Sequence, residues 1–484
     1  MSISTTVKSI QDIMRKDVGI NGDAQRIEQM SWMIFLKIFD DRETECEILM
    51  DDYRSPLPKN CRWRNWASDE EGMTGDELLD FVNNELFEKL KSIQPGRGNG
   101  RGQVIRQNFE DAHNFMKSGT LLRQVVNKIN KIDFNSTNDR HIFNDIYEKI
   151  LKDLQSAGNA GEFYTPRGVT QFVVDQVNPK LGEKILDPAC GTGGFLTSVI
   201  EHLRKQVKTA DDEDILQQSF AGVDKKQLPF SLCVTNMLLH GIDVPSQIRH
   251  DNTLAQPLRS YGPKDRVDVI VTNPPFGGKE EDGIEGNFPK AYRTRETAIL
   301  FLVLIMHLLK PKGRAGIVLP DGTLFGEGVE TRVKEKLLTE CNLHTIVRLR
   351  NGVFSPYTNI RTNLLFFTKG EPTKNVWYYE HPYPPGYKSY SKTKPIRIQE
   401  FAPEKKWWKK RTESEFAWKV SIKDIKANNY NLDFKNPHDS DTGPVDVDKL
   451  LTDYEELLGQ ITSTRTTLKH ELQAALAGRA GTAR

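Results

Sequence analysis

Apolar side chains recur at helical spacing through the first third of the chain. Over Ala24–Asp40 they fall at Ile27, Met30, Ile34, Phe35 and Ile38, and over Glu77–Ile93 at Leu78, Phe81, Val82, Leu86 and Leu90. Leu121–Ile132 and Ile142–Leu154 carry the same period. No strand pattern interrupts them, so residues 1–155 are predicted to form an all-helical N-terminal domain, its stripes packed together as in a bundle.

Short β-rich runs then alternate with helical ones over residues 156–372, which predicts an α/β domain. Strands are expected at Lys184–Asp187, Ser219–Asp224, just before Asp251, and at Val267–Thr272, Ala315–Leu319 and Leu343–Leu349, with Asn363–Thr368 closing the sheet. Helices are expected at Val169–Val177, Phe195–Leu203, Leu228–His240 and Glu296–Leu309, the last stopped by Lys310-Pro311-Lys312-Gly313. Residues 373–440 read as an irregular basic and aromatic flank. Within it Lys388–Arg411 carries Tyr390, Phe401, Trp407 and Trp408, a pattern open between contact with a nucleic-acid backbone and a solvated surface. Over residues 441–484, Leu450, Tyr454, Leu457, Ile461, Leu468 and Leu472 recur at near-heptad spacing, with Thr464 in the gap. This is an amphipathic helix suited to a partner helix, or to folding back on its own domain.

Composition narrows the classes. The 484 residues have room for two or three domains. A net charge of +1 provides no global field toward nucleic acid, so any such contact is local or supplied by a partner. The five cysteines, Cys46, Cys61, Cys190, Cys233 and Cys341, have no C-x-x-C spacing. That argues against a zinc site or a disulfide frame and fits a reducing cytoplasm. Ile299–Leu309 is the most apolar stretch and reads as a core helix, and Met1–Ile10 lacks a signal-peptide pattern.

Candidate chemistry centres on Asn273-Pro274-Pro275-Phe276, directly after the Val267–Thr272 strand. Two prolines stop the strand and hold an extended turn. Asn273 therefore stands at a strand's carboxyl end, where open α/β sheets bind ligands. A side-chain and a backbone carbonyl there can each accept one N–H of a conjugated amine and turn its lone pair toward an electrophile. Phe276 can stack on a flat base carrying that amine. Upstream, Asp187 ends a strand, Pro188-Ala189-Cys190-Gly191-Thr192-Gly193-Gly194 is a glycine turn, and a helix follows. G-x-x-x-x-G-K-[ST] is absent, and Leu196 breaks G-x-G-x-x-G. An acid closing the strand suits a cationic ligand, and S-adenosylmethionine fits with its amino group and sulfonium. Asp224, closing the second strand, is placed to take ribose hydroxyls. Asp251 stands near an adenine position or serves as a turn residue.

Other features have plainer readings. Arg62-Trp63-Arg64-Asn65-Trp66 is a nucleic-acid grip or a turn packed on its own bundle. Gly96–Gly102 is a mobile connector whose two arginines can reach phosphates, and Ala210–Asp214 is a solvated acidic loop. His240, His307 and His344 lack partner spacing and read as structural.

Three stretches stand in fixed order: Gly161-Glu162-Phe163-Tyr164-Thr165-Pro166-Arg167, Asp187–Phe195 and Asn273–Phe276. Together they resemble the S-adenosylmethionine-dependent amino-methyltransferases, and most closely the methylation subunits of type I restriction-modification systems. The resemblance covers nearly the whole chain. It implies a Rossmann-like methyltransferase sheet over 156–372, a helical N-terminal domain and a C-terminal docking helix. It implies that Glu162, Phe163, Tyr164, Thr165, Pro166, Arg167, Gly191, Thr192, Gly193 and Gly194 line the cofactor. Asp187 and Asp224 would hold its amino-acid and ribose parts, and Asp251 its adenine. Asp224 stands where many members have Glu. Asn273 and the Pro274 carbonyl, held by Pro275, would orient the N6 amine of a flipped adenine in duplex DNA, with Phe276 stacked on it. A specificity subunit, a restriction subunit and two methylation subunits per specificity subunit are implied partners, in a bacterial or archaeal cytoplasm.

Methylation of cytosine N4 or of a protein glutamine shares the same chemistry, and a non-catalytic cofactor-binding scaffold is a third class. Methylation at cytosine carbon 5 needs a thiolate, and no Pro-Cys dipeptide is present. Pro320-Asp321 is the only nuclease-like fragment and lacks a convincing E-x-K partner.

Overall fold

The computed structural model describes residues 3–94, 100–134, 165–355, 358, 360–391, 393–438, 454–455 and 458–469. It divides into two units, Met1–Lys435 and Asn436–Arg484.

The first unit opens with helices. Ile3–Met14 and the 27-residue Asp23–Leu49 are followed by Gly75–Lys91, which runs as three abutting segments with a π-wound middle, Phe81–Leu86. Arg101–Phe109 and Gly119–Ile129 follow. Their apolar faces meet around Trp32, Phe35, Phe87 and Phe109, all buried, with edge-on ring contacts such as Trp32–Phe87 at 5.0 Å. Trp63 and Trp66 are buried too, while Arg62 and Arg64 pair with Glu47. The Arg-Trp segment is thus a turn packed on its own bundle. Arg101, expected to be solvated, is 6% exposed and bonds Glu43 at 2.7 Å. A buried carboxylate recruits it, because neither charge is stable alone in a low dielectric. Arg97 and the Ile142–Leu154 helix lie outside the described residues.

The sheet has nine strands in the order β3-β2-β1-β4-β5-β7-β6-β8-β9. The strands are β1 Ile185–Asp187, β2 Phe220–Asp224, β3 Ile248–His250, β4 Val267–Thr272, β5 Leu309–Pro320, β6 Cys341–Arg348, β7 Thr362–Lys369, β8 Asn375–Glu380 and β9 Ala417–Ser421. Strands β1 to β5 pair in parallel, and β7 runs antiparallel between β5 and β6. Parallel strands covered on both faces read as continuous apolar runs, which is why β4 was legible as Val-Asp-Val-Ile-Val-Thr. The cover includes Arg167–Val177 and Gly194–Arg204 on one side and the largely apolar Thr297–Leu308 among the elements of a second buried cluster. Strand order reverses at β1, between β2 and β4, so the ligand crevice opens above the tips of β1, β2 and β4.

Three expectations are corrected here. The sheet does not close at β7, and 373–440 is not an irregular flank: it adds β8, β9 and the helices Ala402–Lys409 and Ile422–Ala427. Burial of the aromatic face drives this. Phe401 stacks on Phe172 at 4.3 Å, and Trp408 lies edge-on to Phe366 at 4.8 Å. The aromatics of Lys388–Arg411 are therefore core, not a nucleic-acid platform. Residues 210–214 are not a loop either; they begin the helix Ala210–Gln218, started by a Thr209–Asp212 capping box.

In the second unit, residues 458–469 are helical, and Leu458, Ile461 and Leu468 are exposed, as is Tyr454. No helix among the described residues is long and apolar enough to cross a membrane.

Candidate active site

The crevice is built from three strand tips. At the tip of β1, Asp187 is 1% exposed. Its Oδ1 accepts the Thr272 hydroxyl at 2.6 Å and the Ala189 N–H at 3.1 Å. Burial pushes its carboxyl up to about 7, and nearby Asp224 adds to this, while the two hydrogen bonds oppose it. Such a group is poised to ionise against a cation that enters the same low-dielectric space.

The glycine turn follows. Gly191 and Gly193 have φ of 53° and 83°, the left-handed region that suits glycine. A Cβ at Gly193 would stand 2.9 Å from Cys233 Sγ, whereas one at Gly191 would meet nothing within 4 Å. Bare backbone at Gly191 thus faces open space, as a cradle for a ligand requires. Thr192 is tied down through its carbonyl, which accepts from Asn236 at 3.0 Å. Gly194 starts the helix Gly194–Arg204.

Arg167 braces this turn: its guanidinium donates to the Gly194 carbonyl at 2.8 Å and to the Thr197 hydroxyl. Pro166 caps the Arg167–Val177 helix, its carbonyl accepting from Val169 and Thr170. Glu162, Phe163 and Tyr164 lie outside the described residues.

At the tip of β2, Asp224 accepts the Gly191 N–H on Oδ2 and the Lys226 N–H on Oδ1, both at 2.9 Å. These bonds fix the carboxylate at the β2 tip, beside the glycine turn. Asp251 donates its N–H to the Asp224 carbonyl at 2.9 Å, and its Oδ1 accepts from Asn252. It therefore adjoins the β2 tip and also shapes its own turn.

Beyond β4, Asn273 donates from Nδ2 to Thr165 Oγ1 at 2.8 Å. Its Oδ1 is buried and finds no hydrogen-bond partner among the described residues. Pro274 is buried and Pro275 half-buried. Phe276 is 5% exposed and sits edge-on to Phe354, centroids 5.9 Å apart at 71°. A base stacking on that ring must displace part of this cover.

The structure thus brings Thr165, Asp187, Gly191, Asp224, Asp251 and Asn273 to one sheet edge. Thr272, which links Asp187 to the β4 tip, and Phe354 were not singled out from the sequence. A threonine next to the motif was a weak signal, and for Phe354 there was none. His240, His307 and His344 are structural: His240 and His307 bond the carbonyls of Asn236 and Tyr261, and His344 bonds the Thr345 hydroxyl. Burial, reinforced by Arg411, pushes His344 down to about 3. Asp321 accepts from Asn363 at 2.7 Å, an ordinary structural bond.

A sheet of order 3-2-1-4-5-7-6 with strand 7 reversed, a glycine turn after β1, and an acceptor-bearing Asn-Pro-Pro-Phe after β4 define the class: an α/β methyltransferase acting on an amine. Comparison narrows it. Residues 138–443 match the family described as N-6 DNA Methylase, and residues 3–129 match the HsdM N-terminal domain. The chain is 60% identical over 490 residues to the type I restriction enzyme EcoEI methylase subunit of Escherichia coli, covering 99% of this chain and all of that one. It also resembles a crystal structure of a type I restriction enzyme modification subunit from Vibrio vulnificus YJ016, with TM-score 0.81, 47% identity, and coverage of 90% and 96% of the two chains. A structure described as showing complex assembly and conformational transition of the type I restriction-modification system matches with TM-score 0.81 and 36% identity, over 97% and 98%. The chain belongs to the N-6 DNA methylases and, among them, to the methylase subunits of type I restriction enzymes.

Proposed function

We propose that the chain methylates the N6 amine of an adenine turned out of duplex DNA, using S-adenosylmethionine held above β1 and β2, with Asn273 as the residue that aims the amine. One observation carries this reading: Asn273 has one amide end anchored on Thr165 and the other, Oδ1, buried without a partner among the described residues. A buried acceptor left empty costs about 1–3 kcal/mol, so its retention fits a ligand N–H that completes it.

The site's residues fit the cofactor. Asp187 offers a buried carboxylate for the amino group, Asp224 sets a carboxylate at the β2 tip for ribose, and Gly191 presents bare backbone beside open space. When bound, S-adenosylmethionine supplies a methyl group on a sulfonium whose leaving group is a neutral thioether. The chain's residues do the rest. Asn273 Oδ1 and the Pro274 carbonyl accept the two amine protons and turn the nitrogen lone pair toward the cofactor pocket. Both acceptors gain strength as positive charge develops on nitrogen, so they favour the transition state over the ground state. The nitrogen attacks with both protons in place, the N-methylated cation formed as the thioether leaves then loses one proton to solvent, and positioning supplies most of the acceleration. Pro274 and Pro275 keep both acceptors rigid, and Arg167 acts from behind by bracing the glycine turn.

We further assign residues 1–155 to a helical domain, the sheet from β1 through β9 with its covering helices to catalysis, and 441–484 to docking on a specificity subunit that addresses the DNA sequence, in a cytoplasmic assembly with two methylase copies and a restriction subunit. The exposed Leu458, Ile461 and Leu468 support the docking assignment. The deciding experiment is radiolabelled methyl transfer to duplex DNA with and without the specificity protein, with mass spectrometry of the digested product. N6-methyladenine formed mainly in the presence of that protein is expected. N4-methylcytosine, or label on protein, would replace this reading.

A further inference from the structure

A second connection crosses the crevice. Lys225 follows Asp224 at the β2 tip, and Glu280 lies in the loop after Phe276. Lys225 Nζ donates to Glu280 Oε2 at 3.2 Å. Strands β2 and β4 flank β1, so at a spacing of about 4.8 Å per strand their tips stand about 10 Å apart, and the pair ties the turn after β2 to the loop after β4. The tip of β1 is where Asp187 and the glycine turn begin.

The two ends differ. The Glu280 side chain is 5% exposed and the Lys225 side chain 41%. Glu280 is also fixed by its neighbours: its N–H donates to the Arg295 carbonyl at 3.0 Å, and Oε1 accepts from Thr297 at 3.4 Å. The Arg295 guanidinium donates to the Glu280 backbone carbonyl and pairs with the Asp282 carboxylate, not with that of Glu280. Lys225 is thus the cation that compensates this buried carboxylate among the described residues. Burying a carboxylate is costly unless it is paired. A fold that needed only a rigid loop would be served by an apolar residue at 280. At its other end, Lys225 is rooted in the β2 turn, where Asp224 holds Gly191 and Lys226 and where the Lys225 carbonyl meets His250 at 3.2 Å.

We propose that Lys225 and Glu280 form a clasp over the cofactor pocket, so that filling the pocket and seating the target-base loop reinforce each other. Lys225 and Glu280 are positioning residues, acting through Asp224 on one side and through the 277–296 loop that begins at Phe276 on the other. Entry of a cofactor requires the clasp to part, and its closure holds both the ligand and the loop beside Asn273. This rests on the cofactor placement above, and the test separates the two.

The test uses the full chain bound to its specificity subunit. Lys225→Met, Glu280→Gln, both together, Lys225→Arg, and the exchange Lys225→Glu with Glu280→Lys are compared. Cofactor affinity is read by calorimetry with S-adenosylhomocysteine. Base extrusion is read by 2-aminopurine fluorescence at the target position, with and without that ligand. In the native complex the ligand is expected to strengthen extrusion. In Lys225→Met and in Glu280→Gln this enhancement should fall by about fivefold or more. The double variant should be no worse than either single, and Lys225→Arg should restore the enhancement. Partial rescue is expected from the charge exchange. Additive losses, or an unchanged enhancement in Lys225→Met, would overturn the clasp. Asp187→Asn is the control: if it weakens ligand binding while Lys225→Met leaves the enhancement intact, the cofactor placement stands and the clasp falls. If Asp187→Asn binds normally, the placement itself fails. Lys225 is largely solvent-facing, so its variants keep the test open even if Glu280→Gln does not fold.

Discussion

Replacing Asn273 by alanine should separate activity from stability, and the size of each effect follows from two atoms. Removing Nδ2 breaks the 2.8 Å bond to Thr165 Oγ1, a loss of about 1 kcal/mol. Removing Oδ1 eliminates a buried acceptor with no partner among the described residues, which relieves about 1–3 kcal/mol. The net change in folding stability is therefore between about zero and a gain of about 2 kcal/mol. Catalysis moves the other way. An acceptor aimed at developing charge is worth about 2.7–4 kcal/mol, or a fall of about 10²–10³ in the methyl-transfer rate. Cofactor affinity should hold, because Asp187, Gly191 and Asp224 are untouched. The assay is single-turnover transfer of labelled methyl to DNA by the complex with the specificity subunit, alongside thermal unfolding and calorimetric cofactor binding of the same preparation. A variant that methylates within tenfold of the native rate would refute the role of the amide. So would loss of activity accompanied by a fall of several kcal/mol in stability, since the residue would then be a structural element.

Thr165→Val should lower the transfer rate about tenfold with cofactor affinity unchanged, because it frees the Asn273 amide to rotate at the cost of one hydrogen bond; equal loss in rate and cofactor binding would count against it. Asp187 titrates near 7 in the folded protein, so cofactor affinity should fall by up to about tenfold per pH unit below that value, and calorimetry of Asp187→Asn should show weak binding without the pH dependence. The sign for folding is opposite: its raised value adds stability that is complete below the unfolded value of 3.8 and is lost as pH rises through about 7, a trend Asp187→Asn should flatten in denaturant titrations. Gly193→Ala places a Cβ 2.9 Å from Cys233 Sγ at a φ of 83°, so a destabilisation of about 1–3 kcal/mol and weakened cofactor binding are expected from unfolding curves and calorimetry. Deleting residues after 445 should abolish co-purification with the specificity subunit while leaving cofactor binding in place; undiminished assembly would remove the tail from the interface.

What could be read from residues alone was whatever depends on near neighbours in the chain. Helical stripes, continuous apolar strands and the turn chemistry of Gly191, Gly193 and Pro274-Pro275 are local, so β1, β2, β4 and the three motifs were legible in order. The misreadings have a common cause. Arg101, Trp407 and Trp408 look solvent-bound in a basic or glycine-rich setting, yet Glu43 buries the first and the rings of β7 and β8 bury the others. The helix at Ala210–Gln218 was different: its Thr-x-x-Asp signal was present locally and was outweighed by the run of acids.

The amino-acid order determines that an asparagine stands at a strand tip with a glycine turn upstream, because strand, turn and helix each follow from a few adjacent side chains. It does not determine which way the amide points. That choice is made by Thr165, 108 residues earlier, whose hydroxyl takes the NH₂ and leaves the carbonyl without a partner among the described residues. Likewise Glu280 is an ordinary loop acid until the sheet order sets Lys225 across from it. Orientation and pairing of this kind depend on distant segments meeting, and only the folded chain brings them together.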